Sequence, residues 1–456
     1  MGFLVDNLAL FMVVALALLL FTGFPVAFVL AGVGLGFGLI GYALGEFPFI
    51  AYFTVPLRVY STLADNLIYP AVPMLLFMGI ALEKSGIGRE LLVCLQVLLR
   101  RVPANQAVAV TLIGIVLAPS AGLVGASVAT LAFLAMPTML ARGYSPSFAS
   151  GSIAAAGTLG IILPPAIMLF FLADLLGVMI AHVFLSTVVP GFLLAASYLT
   201  YYVAAATLAP HIAPAPKDLP KRSAVELAFY AARSLALPLL LIALVLGSIV
   251  AGLATPTQSA SVGAAGAILL MLLNRSFSLE LLHEIVVSTA RLTAMVFFVV
   301  IAATVFSYTF RYFSGDALIM NMLRGLGFGD WGTLLTVLTI IFVLGFFIDW
   351  IEIALITLPI FHPVLAALDF VGYVGSAQAA AIWMTTLVAL VLQTSFLTPP
   401  FGFALFFLKG SAPAGVSLAD IYRGVVPIVA IQLLVVGLIL AMPSIATWLP
   451  IHAVGQ

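Results

Sequence analysis

Ala156-Gly-Thr-Leu-Gly-Ile-Ile-Leu-Pro-Pro165 and Leu392-Gln-Thr-Ser-Phe-Leu-Thr-Pro-Pro-Phe-Gly402 lie in opposite halves of a 456-residue chain, each ending an apolar run on a double proline. Proline has no backbone N–H and its ring clashes with the turn before it, so Pro164-Pro165 and Pro399-Pro400 are expected to unwind the helices that contain them. Unwinding frees carbonyl oxygens. Around them stand Gly157, Thr158 and Gly160 in one half and Gln393, Thr394, Ser395, Thr398 and Gly402 in the other. These small or oxygen-bearing groups suit a hard cation, and with Pro164 and Pro399 they form two candidate sodium sites. The plainer alternative is that the prolines only kink helices while Gly, Ser and Thr ease their packing. Duplication at matched positions counts against it.

The duplication extends outward from these stretches. Phe170-Phe171-Leu172 follows the first double proline and Phe406-Phe407-Leu408 the second. Thr22-Gly-Phe-Pro25 returns as Leu253-Ala-Thr-Pro256, and Val188-Val189-Pro190 as Val425-Val426-Pro427. Pro256 follows Pro25 by 231 positions, Pro400 follows Pro165 by 235 and Pro427 follows Pro190 by 237, so order and spacing both hold. The chain is an internal repeat of about half its length. Residues 1–209 form the first copy and 235–456 the second, joined by a polar loop at 210–234 rich in Pro, Lys and Ala.

Hydrophobic residues make up 64% and charged residues 7%, against about 25% charged in a soluble domain. Apolar runs of roughly 20 residues, enough to cross about 30 Å of hydrocarbon, recur along the whole length. No soluble domain fits between them. Met1 to Phe21 lacks the basic start of a signal peptide and is expected to be a retained first span. Net charge is zero, Cys94 is the one cysteine, and the five histidines show no paired spacing, so a disulfide framework or a Cys-based metal site is excluded. Gly32, Gly34, Gly36 and Gly38 lie inside an apolar span and mark close helix packing rather than a phosphate loop.

Hydropathy places crossings at about 4–22, 24–43, 66–82, 147–180 and 184–209, with counterparts from 235 onward. An odd number of crossings per half makes the halves inverted. Between the third and fourth crossings, 105–140 and 331–366 are each too long for one span and are expected to be re-entrant hairpins. The broken helices then cover 147–180 and 376–412. Of the 16 lysines and arginines this arrangement puts 13 on one side and leaves Arg58, Arg311 and Arg324 on the other. The positive-inside rule makes the rich side cytoplasmic and turns both termini outward. The expected fold is an all-α polytopic membrane protein of inverted repeats, with two re-entrant hairpins and two broken helices, the architecture of elevator-type secondary transporters. Glu83-Lys84 with Arg89-Glu90, and Arg275 to Arg291, are expected to be cytoplasmic interfacial helices.

The first hairpin turns at Ala118-Pro-Ser-Ala-Gly-Leu-Val-Gly-Ala-Ser127, where Ser120, Gly122, Gly125 and Ser127 are candidate substrate contacts. Helix N-termini at such a tip offer unpaired N–H groups to an anion. The second turns at Gly345-Phe-Phe-Ile-Asp-Trp-Ile-Glu352, where Asp349 and Glu352 suit a cation or a hydrogen-bond network better than a carboxylate. A pair solvated at an aqueous rim is the alternative. Asp174 stands near the end of the first broken helix, with structural and functional readings both open.

Gly122-Leu-Val-Gly-Ala-Ser-Val-Ala-Thr130, Ala135-Met-Pro137, Arg142-Gly-Tyr144 and the two double-proline stretches resemble the large membrane subunit of tripartite ATP-independent periplasmic (TRAP) transporters, over nearly the whole chain. The second double-proline stretch with Asp420-Ile-Tyr-Arg-Gly424 is similar to the branch described as mannitol or chloroaromatic transporters. Where many members have Gly-Ser-Ser this chain has Gly125-Ala126-Ser127, so a hydroxyl contact does not carry over to Ala126. The resemblance implies Na⁺-driven, binding-protein-dependent uptake of a small organic acid, a 2-oxo acid or related monocarboxylate. It also implies two partners in the bacterial inner membrane and periplasm: a small four-helix membrane subunit, expected to be a separate chain, and a periplasmic substrate-binding protein. Nucleic acid is not an expected partner. A self-sufficient Na⁺/carboxylate symporter is the main alternative; a channel or a membrane enzyme is the more distant one, and the acid, His or Cys cluster an enzyme needs is missing from the sequence.

Cysteines introduced near Met1 and near Gln456 should both react with an impermeant reagent from outside, and one at Lys221 only from the cytoplasm. Opposite labelling of the two termini would remove the inversion.

Overall fold

The computed structural model describes residues 7–116, 124–214, 224–325, 327–399 and 402–454, and all its regular elements are helices. The first half opens with α1 (Leu8–Leu20) and α2 (Val26–Ala43), parted where Gly23 takes φ +82° just before Pro25. The amphipathic α3 (Thr54–Leu63), α4 (Ala71–Lys84) and α5 (Ile87–Leu98) follow. Next come α6 (Asn105–Val116) and α7 (Val124–Ala141), then α8 (Pro146–Leu159) and α9 (Ile167–Leu175), then the long α10 (Ile180–Leu208). The second half runs through α11 (Ala224–Val250), α12 (Pro256–Leu273), α13 (Leu279–Tyr312) and α14 (Gly315–Gly325). It continues with α15 (Gly329–Leu344), α16 (Trp350–Ala366), the single turn α17 (Val371–Val374), α18 (Ala377–Ser395), α19 (Phe403–Ser411), α20 (Leu418–Ala441) and α21 (Ser444–Val454).

Local chemistry sets the starts of these helices. Ser145 accepts from the Phe148 N–H with Pro146 at the first helical position of α8. Thr255 and Gln258 form a capping box ahead of α12, as Ser417 and Asp420 do ahead of α20.

Packing repeats with the sequence. α2 lies on α13 and its counterpart α12 on α4; α8 lies on α20 and its counterpart α18 on α10. α7 packs on both α8 and α19, and α16 on both α18 and α9, so each helix pair rests on one arm of the break in its own half and one in the other. Two bodies result. A scaffold gathers α1, α2, α4 and α11 to α13, and a core gathers α6 to α10 with α15 to α21.

Among the described residues α2, α10, α12, α13, α18 and α20 are long and apolar enough to cross a membrane. Scaffold helices keep large apolar side chains on their outer face, such as Phe28, Leu39, Leu269 and Leu272, where lipid replaces water as solvent. The arms α8 and α18 are instead buried along most of their length. The protein is an all-α polytopic membrane protein.

Two expectations change. The polar loop at 210–234 is shorter, because α11 already begins at Ala224: Ala224 to Ala232 is built largely of good helix formers, and its one charged residue, Glu226, falls in the first turn of the helix. Arg275 to Arg291 is not a separate interfacial helix. Ser278 caps the start of α13, which continues for 34 residues, with Arg291 on its shaft. The first hairpin's turn, 117–123, lies outside the described residues.

Close backbone approach fastens the core. A Cβ on Gly151 would lie 2.1 Å from the Gly424 carbonyl oxygen, and one on Gly424 would lie 2.0 Å from that of Ser147. Neither neighbour is a flexible side chain, so Gly151→Val and Gly424→Val should each lower the melting temperature in detergent, by an overpacking cost of about 1–3 kcal/mol or more. Gly32→Ala, where a Cβ meets nothing within 4 Å, should leave it in place. Equal melting for all three would show that α8 and α20 do not cross as described.

Candidate functional site

Each break leaves backbone oxygens without donors among the described residues. Between α8 and α9, Pro164 and Pro165 supply no N–H. Among the described residues nothing donates to the carbonyls of Gly160, Ile161, Ile162 and Leu163. All four residues are buried. In the second break the carbonyls of Phe396, Leu397 and Thr398 are likewise without a described donor. A buried polar group left unpaired costs about 1–3 kcal/mol, so two such clusters call for a cation or ordered water. Pro400 and Phe401 lie outside the described residues.

The hydroxyls beside the breaks spend their protons on their own helices. Thr158 donates to the carbonyls of Ala154 and Ala155 at 3.1 Å, Thr394 to Leu390 at 2.8 Å, Ser395 to Leu392 at 2.6 Å and Thr398 to Thr394 at 3.0 Å. Each oxygen keeps lone pairs, which is what a cation needs from it. Gln393 is fully buried and neither amide atom has a partner among the described residues. Gly157 serves close approach: a Cβ there would lie 3.0 Å from the Cα of Val128 on α7. Gly160 ends α8, and Gly402 caps α19 at φ +34° with the Phe396 carbonyl 3.0 Å from where a Cβ would be. Pro164 is buried, and Pro399 half-buried, inside their breaks.

Described residues beside both hairpin turns pack against the elements that flank the breaks. Ser120 and Gly122 lie outside the described residues. Gly125 admits the ring of Phe407 from α19, which a Cβ would meet at 2.5 Å, and Ser127 buries a hydroxyl with no partner among the described residues. In the second hairpin Gly345 lies against Ser395 so closely that a Cβ would be 1.8 Å from the serine Cβ. Asp349 caps α16 by accepting from the Trp350 N–H at 2.7 Å, and Glu352 accepts from the Asp349 N–H at 3.3 Å. The acidic pair therefore occupies its own helix N-terminus as a capping box, and its negative charge stands where an anion would otherwise dock. Trp350 is buried and faces Phe171 of α9, with ring centroids 6.0 Å apart.

Above this level a cavity of about 540 Å³ opens between scaffold and core. Arg58 of α3, Arg311 of α13 and His362 of α16 line it with Tyr69, Ser307 and Asp174. The Arg58 guanidinium lies over the Tyr308 ring, 5.1 Å from its centroid, and has no acidic partner among the described residues. Arg311 donates to the Pro359 carbonyl at 3.2 Å and lies 3.5 Å from an Asp316 oxygen. Asp174 accepts from the Asn66 amide at 2.8 Å. Tyr69 stacks edge-on against Phe171, centroids 5.6 Å apart, and so forms an aromatic floor towards Trp350. Sequence reasoning passed over Arg58, Arg311 and His362. The signal was present, since two of the three basic residues left on the charge-poor side line one cavity.

Broken helices wrapped by paired hairpins, beside a basic cavity, define a polytopic transport subunit rather than an enzyme. Residues 13–445 match the family described as the tripartite ATP-independent periplasmic transporter, DctM component, and the chain belongs to it. It is 27% identical over 383 residues to the C4-dicarboxylate TRAP transporter large permease protein DctM of Pseudomonas aeruginosa, covering 83% of this chain and 85% of that one. The ectoine TRAP transporter large permease protein TeaC of Halomonas elongata is 25% identical over 441 residues, covering 96% and 98%. The isethionate TRAP transporter permease protein DctMQ of Oleidesulfovibrio alaskensis is 25% identical over 435 residues, covering 94% of this chain and 64% of that protein. Among solved structures, the Alcanivorax borkumensis YdaH transporter is similar in fold, with TM-score 0.56, 13% identity and 88% of each chain covered.

The capping box separates shape from charge. Asp349→Ala should lower thermal stability by about 0.5–2 kcal/mol, and Asp349→Asn, which still accepts from Trp350, by much less. Equal melting of the two variants in detergent would show that the carboxylate does not hold the tip.

Proposed function

We propose that this chain is the membrane-spanning subunit of a Na⁺-coupled, binding-protein-dependent transporter that imports a small organic acid across the bacterial inner membrane. Two clusters of carbonyls without a donor among the described residues, beside lone-pair-bearing hydroxyls, carry the sodium part of this reading. Such oxygens match a hard cation in kind and number, and their duplication supplies a site in each repeat. The cavity supports the anionic substrate: its two arginines and a histidine face one aspartate, and its volume suits a small acid. Relatives named for C4-dicarboxylate, isethionate and ectoine agree with a small, charged, polar solute. A 2-oxo acid or related monocarboxylate is the proposed substrate.

With both termini outward, the cavity faces the periplasm, where a substrate-binding protein releases its ligand. A small membrane subunit is the second partner, and the lipid-facing scaffold is the surface available to it. The core then moves against the scaffold and carries the site across.

Proteoliposomes holding this chain with its small subunit should accumulate labelled pyruvate or a related acid when a Na⁺ gradient and the binding protein are both supplied. Thr158→Val and Thr398→Val should raise the half-maximal Na⁺ concentration on the order of 10-fold each, equivalent to about 1.4 kcal/mol. Arg58→Gln should raise the substrate KM while leaving the Na⁺ dependence alone. Uptake that persists in K⁺ alone, or the same Na⁺ concentration dependence in both threonine variants, would overturn the sodium assignment; uptake without the binding protein would favour the self-sufficient symporter.

A further inference from the structure

The polar contacts between scaffold and core include two that grip opposite ends of one helix. Before α4, Asn66 accepts from the Ile68 N–H at 3.0 Å, which fixes its turn, and its amide donates to Asp174 at 2.8 Å. In the last turn of α4, Glu83 accepts a hydrogen bond from the Thr130 hydroxyl on α7. Fourteen residues separate these ends as one rigid helix, about 21 Å at 1.5 Å per residue. Asp174 and Thr130 both belong to the core.

Neither core residue is explained by its own helix. Asp174 sits in the last turn of α9, where the macrodipole disfavours a carboxylate. Thr130 gives its proton to Glu83, whereas Thr158, Thr357 and Thr394 give theirs to carbonyls of their own helices. Beside the Asn66–Asp174 contact Tyr69 packs edge-on against Phe171, and its hydroxyl also faces the Asp174 carboxylate. A hydrogen bond weakens steeply with angle and distance, so these polar contacts fix position rather than permit sliding. Beside Glu83, Lys84 pairs with Glu284 of α13 and fixes that end of α4 within the scaffold.

We propose that Asn66–Asp174 and Glu83–Thr130 are releasable ties that hold the core at a defined position on α4 and must part in each transport cycle. This rests on the proposed transport by movement of core against scaffold. All four are positioning residues.

Cysteine pairs at Asn66 with Asp174, and at Glu83 with Thr130, would be introduced into a Cys94→Ala background and bridged with Hg²⁺ in proteoliposomes. A third pair at Asp330 with Asp369, where the Asp369 N–H donates to Asp330 at 3.3 Å within the core, serves as control. Bridging either tie should abolish Na⁺-driven uptake, dithiothreitol should restore it, and bridging the control should change nothing. Uptake that continues with either tie fully bridged, or a tie pair that cannot be bridged, overturns the proposal. Absence of Na⁺-driven uptake before any Hg²⁺ is added would instead count against the function proposed above. As a second readout, Thr130→Val should change the maximal rate with KM unaltered, and Thr130→Ser, which still donates to Glu83, should restore it; identical behaviour of the two would also overturn it.

Discussion

Backbone N–H and C=O groups inside a bilayer have no water to turn to, so a helix that breaks at membrane depth must be enclosed by protein. Everything in the core follows from that constraint applied twice. Pro164-Pro165 and Pro399-Pro400 strip donors from buried carbonyls, and the hairpins α6–α7 and α15–α16 close over the two breaks. Each hairpin rests on one arm from each half, so neither repeat could bury its own break alone. Close contact is needed for the enclosure, which is why Gly157 meets Val128, Gly125 meets Phe407 and Gly345 meets Ser395 at distances that leave no space for a Cβ.

Much of this was legible in the sequence because proline and hydropathy act locally. The two breaks, the repeat and the hairpin arms all follow from local signals such as Pro399-Pro400 and long apolar runs. What escaped depended on distant partners. Arg58 and Arg311 are 253 positions apart and meet only because α3 and α13 pack together. For Asp349 and Glu352 a cation and a hydrogen-bond network were both open in the sequence, and the three-residue spacing of an N-cap box supplies the hydrogen bonds. Ala224 to Ala232 looked like loop because Pro210 to Arg222 is rich in prolines and charges, although its own residues favour helix.

The division into scaffold and core gives the site its chemistry. The carbonyls without a described donor lie inside the core, away from lipid, while the basic cavity lies at the boundary where two bodies meet. A cation held at the breaks would hold the hairpins against α9 and α19, and an anion in the cavity would touch both bodies at once. The proposed coupling of the two ligands would rest on this: the cation would set the shape of the core, and the anion would depend on that shape.

The central claim is that the core moves as one body against the scaffold and that its ligands bias that motion. Double electron–electron resonance between spin labels at Arg275 on the scaffold and Ala414 on the core measures it most directly, with a pair inside the core at Ala141 and Ala414 as reference. The account predicts that the first distance has two populations whose ratio shifts on adding Na⁺ and substrate, while the second stays single and constant. A single, unchanging scaffold-to-core distance, or a core-internal distance that shifts as much, would contradict it.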